Sequence, residues 1–453
     1  MKKCYLIIAW AFAGMTLQSC TEFLDAKPKQ NLVIPSTLDD YQGLLDAEQR
    51  GMNSFPVNGM ISSDDLFFGN GLLQRLPFTM TALYFWEKEL YIADEEDVNW
   101  IIPYGKVFYA NVVLDGLADY EPANGAERQR MEELAASARF FRAMGHYEVL
   151  MHFAEPYDPD RMDQLGIPIR LTSDINQKVK RSTMLESFSQ LIADLEAGTQ
   201  VLEEKSDIPT RPSKWAAHAM LSRVYLNMHR YDLAYEHSKK ALEIGNELMD
   251  YKTIETDLPY SFEVFNPEVI HHQQQYTTTV TLSADNFVNP ELVSLYDSAD
   301  LRLKFFFEPS GTEDRLNFRG NYTGDFYFFG GIATDEVVLN LAESAFRLGE
   351  EDEALEAVNY LLEHRMEAGF EGLSGLSGNN LLLRIVEERR KELVFRTVRW
   401  LDLKRYNFYP ELQVTLSRNY NDQESILPPG DTRYTFLIPP AEMNLNPLVQ
   451  NVR

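Results

Sequence analysis

Trp215 to Gly245 reads WAAHAMLSRVYLNMHRYDLAYEHSKKALEIG, and residues 337–365 read VVLNLAESAFRLGEEDEALEAVNYLLEHR. Each stretch is an apolar-periodic run, a short break, and a second run rich in small residues. Apolar side chains recurring every three or four positions define one face of an α-helix. Aligning Ala234 with Ala354 places Leu221 over Leu341 and His229 over Gly349. Small residues at such spots let two antiparallel helices approach closely, and Tyr225, Tyr231, Ala234 and Ala241 suit the tetratricopeptide pattern well. Two matches about 120 residues apart do not predict a continuous solenoid, but helix pairs interrupted by long insertions.

Outward from these pairs the helical grammar continues. Thr37 to Gln49 is expected as a first helix, with Leu38, Tyr41, Leu44 and Leu45 on one face. Residues 98–118 read as helical around Pro103, and 126–153 more strongly, through Leu134, Phe140, Phe141, Met144, Tyr147 and Leu150. Thr183 is expected to start a helix carrying Leu185, Phe188, Leu191, Ile192 and Leu195. Strand-like alternation is confined to short stretches such as 275–282 (QYTTTVTL), so the fold class is mainly α. Residues 52–86 and 251–335 lack helical periodicity and are rich in Gly, Asn, Asp, Thr and aromatics. Insertions this long are expected to be functional, and their aromatic content argues against disorder.

The chain begins MKKCYLIIAWAFAGMTLQSC. Lys2 and Lys3 precede a run of about a dozen apolar residues, shorter than the roughly 20 needed to span a bilayer and suited to a secretory signal. Leu17-Gln18-Ser19-Cys20 looks like a lipobox, so 1–19 are expected to be a lipoprotein signal peptide and Cys20 the lipidated residue. Residues 20–36 form a polar lead-in punctuated by Pro28 and Pro35, and 37–453 a single helical domain, in parts of about 37–250 and 251–453. Cys4 and Cys20 are the two cysteines, so the mature chain would hold no free thiol, no intrachain disulfide and no Cys nucleophile. Removing Lys2 and Lys3 takes the formal charge from −27 to −27 − 2 = −29. That acidity, with no basic tract of five to eight residues, argues against nucleic acid as a partner.

Reaction signatures are missing from the sequence: it contains no HExxH, GxSxG, P-loop, Rossmann glycine fingerprint or EF-hand loop. His271 and His272, adjacent on a chain, point apart and make a poor metal pair. The run Asp94-Glu95-Glu96-Asp97 offers oxygen ligands, with Asp94, Glu95 and Asp97 as a conceivable Ca²⁺ set. The plainer reading is an acidic helix start, which the helix dipole favours. Residues 387–405 (EERRKELVFRTVRWLDLKR) are the most basic stretch. Leu393, Trp400 and Leu403 interleave the charges, and Glu387, Glu388, Glu392 and Asp402 offer local ion pairs, so this reads as a structural helix rather than a phosphate site.

Several segments in order resemble the SusD/RagB family of outer-membrane nutrient-binding lipoproteins. They are Cys20 with Phe23-Leu24-Asp25 and Pro28, Arg142-Ala143-Met144 with Tyr147, GIPIRL from Gly166, Ala216-Ala217 to Tyr225, and Asp300-Leu301-Arg302. The C-terminal ones are the most specific: Glu388-Arg389-Arg390-Lys391-Glu392-Leu393, Arg399-Trp400, Asp402-Leu403-Lys404-Arg405, Ile438-Pro439-Pro440, Glu442, Asn446-Pro447 and Gln450-Asn451. The chain departs at Arg396 and Thr397, where the family usually has an acidic residue and a glycine, and at Val452-Arg453, which replaces the usual Pro-Gly ending.

The resemblance implies tetratricopeptide-like helix pairs with inserted loops that form the ligand site. It also implies a lipid-anchored protein on the extracellular face of the outer membrane in Bacteroidetes-type bacteria, and no catalysis. The implied partner is a SusC-like TonB-dependent transporter, served with an oligosaccharide or, alternatively, a peptide. A secreted lipoprotein hydrolase with an unrecognised carboxylate pair, or a surface adhesion protein, are the readings from other classes. Sugar rings pack C–H faces on aromatics and need polar partners for their hydroxyls. Two clusters have that make-up: Tyr84 and Trp86 beside the loop carrying Asp64, Asp65 and Asn70, and Arg319, Tyr322, Asp325 and Tyr327. Asp64 to Phe68 could instead brace the loop internally.

Overall fold

The computed structural model describes residues 35–255, 259–312 and 314–453. Leu38–Arg453 forms one compact unit. The signal peptide, Cys20 and most of the lead-in lie outside the described residues.

Ten longer helices carry the described chain: α1 (Leu38–Leu45), α2 (Val98–Ala118), α3 (Gly125–Phe153), α4 (Met184–Val201), α5 (Lys214–Asn227), α6 (Tyr231–Ile244), α7 (Thr334–Leu348), α8 (Glu351–Arg365), α9 (Gly378–Glu392) and α10 (Val398–Tyr406). The fold is mainly helical, as expected. Their starts follow local chemistry. Asp97, Asn124 and Ser213 accept backbone N–H groups at the N-termini of α2, α3 and α5. Thr183 and Glu186 close a reciprocal capping box on α4. The first helix is shorter than expected, because the chain tightens into a 3₁₀ turn at Glu48–Arg50.

Consecutive helices pack pairwise from α2 through α8, and α6 lies against α7. The two pairs are therefore neighbours in space although nearly ninety residues separate them, and the stack that sequence spacing spoke against is continuous. Glycine is required at one break: Gly349, after α7, has φ +87°. His229, aligned with it, takes the same left-handed turn at φ +56°. There the imidazole Nδ1 meets the Tyr409 hydroxyl at 2.9 Å and the Tyr231 hydroxyl at 3.3 Å, which compensates a conformation that non-glycine residues seldom adopt.

Sheet is limited to six two-stranded ribbons among the described residues. Two of them join the insertions. Ser54–Phe55 pairs in parallel with Gln274–Gln275, and Leu66–Phe68 pairs antiparallel with Asn286–Val288, with Phe67 opposite Phe287. The threonine stretch after Gln275 does not continue the strand. The Thr281 hydroxyl binds the Thr278 backbone twice, accepting Thr278 N–H at 2.9 Å and donating to Thr278 O at 3.0 Å, and the chain turns. Residues 52–86 also hold short helices, Asn58–Ser62, Asn70–Leu73 and Phe78–Tyr84, too brief to show a period.

The basic stretch 387–405 is structural, divided between α9 and α10 by a break at 393–397 where Phe395 and Thr397 take positive φ, and it combines local ion pairs with distant ones. Arg302 Nη2 donates to Asp300 at 2.7 Å and to Glu388 at 2.6 Å, and Nη1 to Glu392 at 2.9 Å, all four side chains fully buried. Arg365 joins Glu392 at 2.8 Å to Glu268 at 2.9 Å. Arg405 and Arg389 share Asp402, and Arg405 also reaches Glu343 at 2.6 Å. The departure at Arg396 has a partner as well, Asp335 at 2.7 Å.

Thr397 sits at φ +65°, the left-handed conformation that suits the family's usual glycine and penalises a β-branched side chain. Thr397→Gly is expected to raise stability by about 1 kcal/mol, read as a higher urea midpoint at unchanged slope. A lower midpoint would mean that the hydroxyl's bond to the Arg396 carbonyl, at 2.6 Å, outweighs the strain.

Candidate functional site

The paired insertions form one wall of a cleft with a volume of about 360 Å³. One side is the Leu66–Phe68 strand and the turn at Asn289–Glu291. The other is the hairpin of Leu416–Tyr420 with Gln423–Leu427, whose edge residues Val414 to Asn419 line the opening. Asn289 fixes the first wall: its backbone N–H donates to Asp65 O and its Nδ2 to Asp64 O, both at 2.8 Å. Exposed Arg315 lies 4.7 Å over the half-buried Phe67 ring, which in turn packs 5.3 Å from Phe287. Ser417, Asn419 and Glu291 are exposed polar groups on the same rim.

The floor is an aromatic–cation stack. The Arg418 guanidinium sits 3.7 Å from the Tyr84 ring centroid and 4.7 Å from that of Trp86, and donates to the carbonyls of Ile61, Ser63 and Tyr84. Burial among carbonyls brings its pKa down to about 10, so it stays cationic. Trp86 is 1% exposed and donates Nε1–H to Ser62 O at 2.9 Å. Tyr84 stacks on Phe68 at 4.2 Å and accepts the Phe68 N–H at 3.1 Å.

Of the first sequence cluster, Asp64, Tyr84 and Trp86 line this cleft, and the two aromatics are its floor rather than its contact surface; Asp65 and Asn70 do not line it. Asp64 is taken by Arg399 (2.7 Å) and Arg390 (2.9 Å), which hold its carboxyl well below the usual range despite burial. Asp65 is buried, and burial followed by the neighbouring Asp64 charge pushes it up to about 7. Asp64 to Phe68 therefore braces the loop internally. Asn70 is exposed at the start of a short helix and does not line the cleft.

The second cluster divides. Arg319 lines a separate cleft of about 440 Å³ with Phe318, Phe326 and Asn321. Tyr327 packs on Phe326 at 4.3 Å. Tyr322 is a correction: it is fully buried, its hydroxyl donating to Glu268 (3.1 Å) and Asp335 (3.2 Å), and it cannot meet a ligand from solvent. The acidic run also has structural employment. Asp97 caps α2 and accepts from Asn58 and Tyr91, Glu95 accepts from Thr79 at 2.6 Å, and Asp94 accepts from Asn444 at 2.7 Å. Glu268, Asp335 and Glu392 lie close enough to share one ion, but Arg365 and Arg396 already occupy their oxygens.

Burial, with the Asp335 and Glu392 charges, lifts Glu268 to about 7 as well. A carboxyl raised in the folded state contributes stability that is complete below its unfolded pKa and is lost as pH rises through the folded value. Asp300 and Glu343 are held down to about 2 by Arg302 and Arg405 against the pull of burial, and their contribution is lost on acidification. The melting temperature is therefore expected to rise from about pH 8 to about pH 5 and fall below about pH 4. Asp65→Asn should stabilise the protein at the alkaline end and give no gain near pH 5, which separates this effect from relief of overall charge repulsion. A melting curve that is flat across that range, or equal gains for Asp65→Asn at both ends, would contradict it.

A stack of helix pairs whose paired insertions face a C-terminal hairpin across an aromatic-floored, polar-rimmed cleft defines a class of helical binding scaffold; among the described residues no helix is long and apolar enough to cross a membrane. The chain belongs to the SusD family: residues 22–226 match a family profile described as "Starch-binding associating with outer membrane", and 334–452 match the SusD family profile. Crystal structures with the same fold include a candidate sugar-binding protein from Bacteroides vulgatus (22% identity, 92% of this chain and 98% of that one, TM-score 0.76). A SusD superfamily protein from Bacteroides thetaiotaomicron is similar (22%, 92% and 100%, 0.74), as is a SusD-like carbohydrate binding protein from Bacteroides vulgatus (17%, 91% and 97%, 0.68). No curated protein matches the chain.

Proposed function

We propose that this protein is a non-catalytic surface lipoprotein that captures an oligosaccharide in the cleft between its paired insertions and the C-terminal hairpin and hands it to a TonB-dependent outer-membrane transporter. The observation that carries this reading is the cleft itself. Half-buried Phe67 with the Arg315 guanidinium over its ring offers an aromatic–cation surface, and Asn419, Ser417 and Glu291 offer hydroxyl partners at the rim. That pairing of ring and hydrogen-bonding groups suits a sugar. Anchorage through Cys20 on the extracellular face of the outer membrane completes the reading.

The test is a glycan and peptide array with the full chain, followed by product analysis of every glycan bound. Binding of a glycan class with no release of shorter products is expected. Peptide binding alone would move the ligand to the alternative class, and turnover lost on one Asp or Glu substitution would replace binding by hydrolysis. Co-purification with a barrel transporter checks the delivery step.

A further inference from the structure

On the outer face of the first helix pair, His218 of α5 and His237 of α6 point at each other across the two helices. Their Nδ1 atoms are 3.0 Å apart, with ring centroids at 5.1 Å and planes inclined by 40°. They stand at a surface cleft of about 710 Å³ that is also lined by Glu196, Gln200 and Glu236. His237 is nearly buried and packs its ring 5.4 Å from that of Tyr225, which limits its motion; His218 is half-buried at the cleft.

We infer that His218 and His237 form a binding site for a divalent first-row transition-metal cation, with Cu²⁺ and Ni²⁺ favoured over Zn²⁺. The argument is first one of distance. Two imidazole nitrogens at about 2.0–2.1 Å from one metal stand about 2.9 Å apart when the N–metal–N angle is about 90°, and about 3.3 Å apart when it is tetrahedral. The observed 3.0 Å lies at the right-angled value, typical of square or octahedral sites, and a tetrahedral ion requires a small opening.

Ligand type gives the second argument. Neutral imidazole is the preferred donor of these ions, and a nearby carboxylate adds charge without imposing geometry. Without metal, one ring donates Nδ1–H to the other's Nδ1. A cation displaces that shared proton, which passes to Nε2 of the donating ring so that each ring carries its proton there, and rotation of the half-buried His218 ring turns its lone pair towards an ion held by His237. Glu236, which lines the same cleft, is the candidate third ligand. It is now held by Lys240 at 2.6 Å, but both side chains are about half exposed and such a pair is weak. Because the two histidines come from different helices, the ion would staple α5 to α6.

The experiment is calorimetric titration of the full chain with CuCl₂ and NiCl₂, with Mg²⁺ in large excess to fill carboxylate-only sites on this acidic surface. One equivalent is expected to bind, and His218→Gln or His237→Gln to weaken it by at least about tenfold. Near-UV dichroism confirms that each variant is folded. The Cu²⁺ spin-resonance spectrum of the wild type supplies a readout independent of any substitution, with superhyperfine splitting from two equivalent nitrogens expected. Splitting from one nitrogen or none, or binding unchanged in both variants, would overturn the site.

Discussion

Arg302→Met lowers the free energy of unfolding by about 3–5 kcal/mol, the cost of stranding buried carboxylates. Asp300, Glu388 and Glu392 converge on this guanidinium, and none of the four side chains is solvent-exposed. Lys391 remains for Asp300 (2.9 Å) and Glu388 (3.0 Å), and Arg365 for Glu392 (2.8 Å), so the loss is partial rather than complete. Methionine keeps most of the volume, which separates charge from packing. Lys240→Ala, which breaks the exposed pair with Glu236, should change stability by no more than about 0.5 kcal/mol. Urea unfolding of both variants makes the comparison, and a loss below about 1 kcal/mol for Arg302→Met would show that water or rearrangement compensates the cluster.

Phe67→Ala and Arg315→Ala each weaken binding of the glycan found by array about tenfold, while leaving the melting temperature nearly unchanged. Both side chains are accessible at the cleft, and neither belongs to the buried ion network. Because the guanidinium lies over the ring, the double variant is expected to lose less than the product of the two effects. Trp86→Ala behaves differently. Removing a buried indole costs about 3–5 kcal/mol, so its loss of binding would come with loss of fold. If Phe67→Ala and Arg315→Ala both bind as tightly as wild type, the ligand sits elsewhere, and the neighbouring cleft lined by Arg319 and Phe326 becomes the next place to test.

The helix pairs were legible because a helix advertises its buried face by period alone. Trp215 to Gly245 and 337–365 fall on α5–α6 and α7–α8 within a few residues. Even the alignment of His229 with Gly349 carried information, since both positions take a left-handed turn. The basic stretch 387–405 was legible as structural and in part of its pairing. The local pairs form, Arg384 with Glu387 and Glu388, Lys391 with Glu388 and Arg405 with Asp402, but the buried links from Glu388 to Arg302 and from Glu392 to Arg302 and Arg365 were not visible.

The cleft was only half visible. Tyr84 and Trp86 belong to it, yet an aromatic beside polar residues reads the same whether it faces ligand or core, and Tyr322 proved to be core. The turn at Asn289–Glu291 and the strand Leu416–Tyr420 were missed. A signal for the latter existed: Asn421 and Asp422, both at positive φ, make the two-residue loop of a hairpin.

The sequence by itself determined the helices, their caps, the long insertions and the family, because periodicity, capping chemistry and motif order are local properties of a chain. Only the tertiary structure decided that α6 lies on α7, that Leu66–Phe68 pairs with Asn286–Val288, and that Arg418 fills the floor beneath Trp86. Those contacts join residues up to several hundred positions apart. They are selected by burial and charge complementarity in three dimensions, and no short stretch of sequence encodes them.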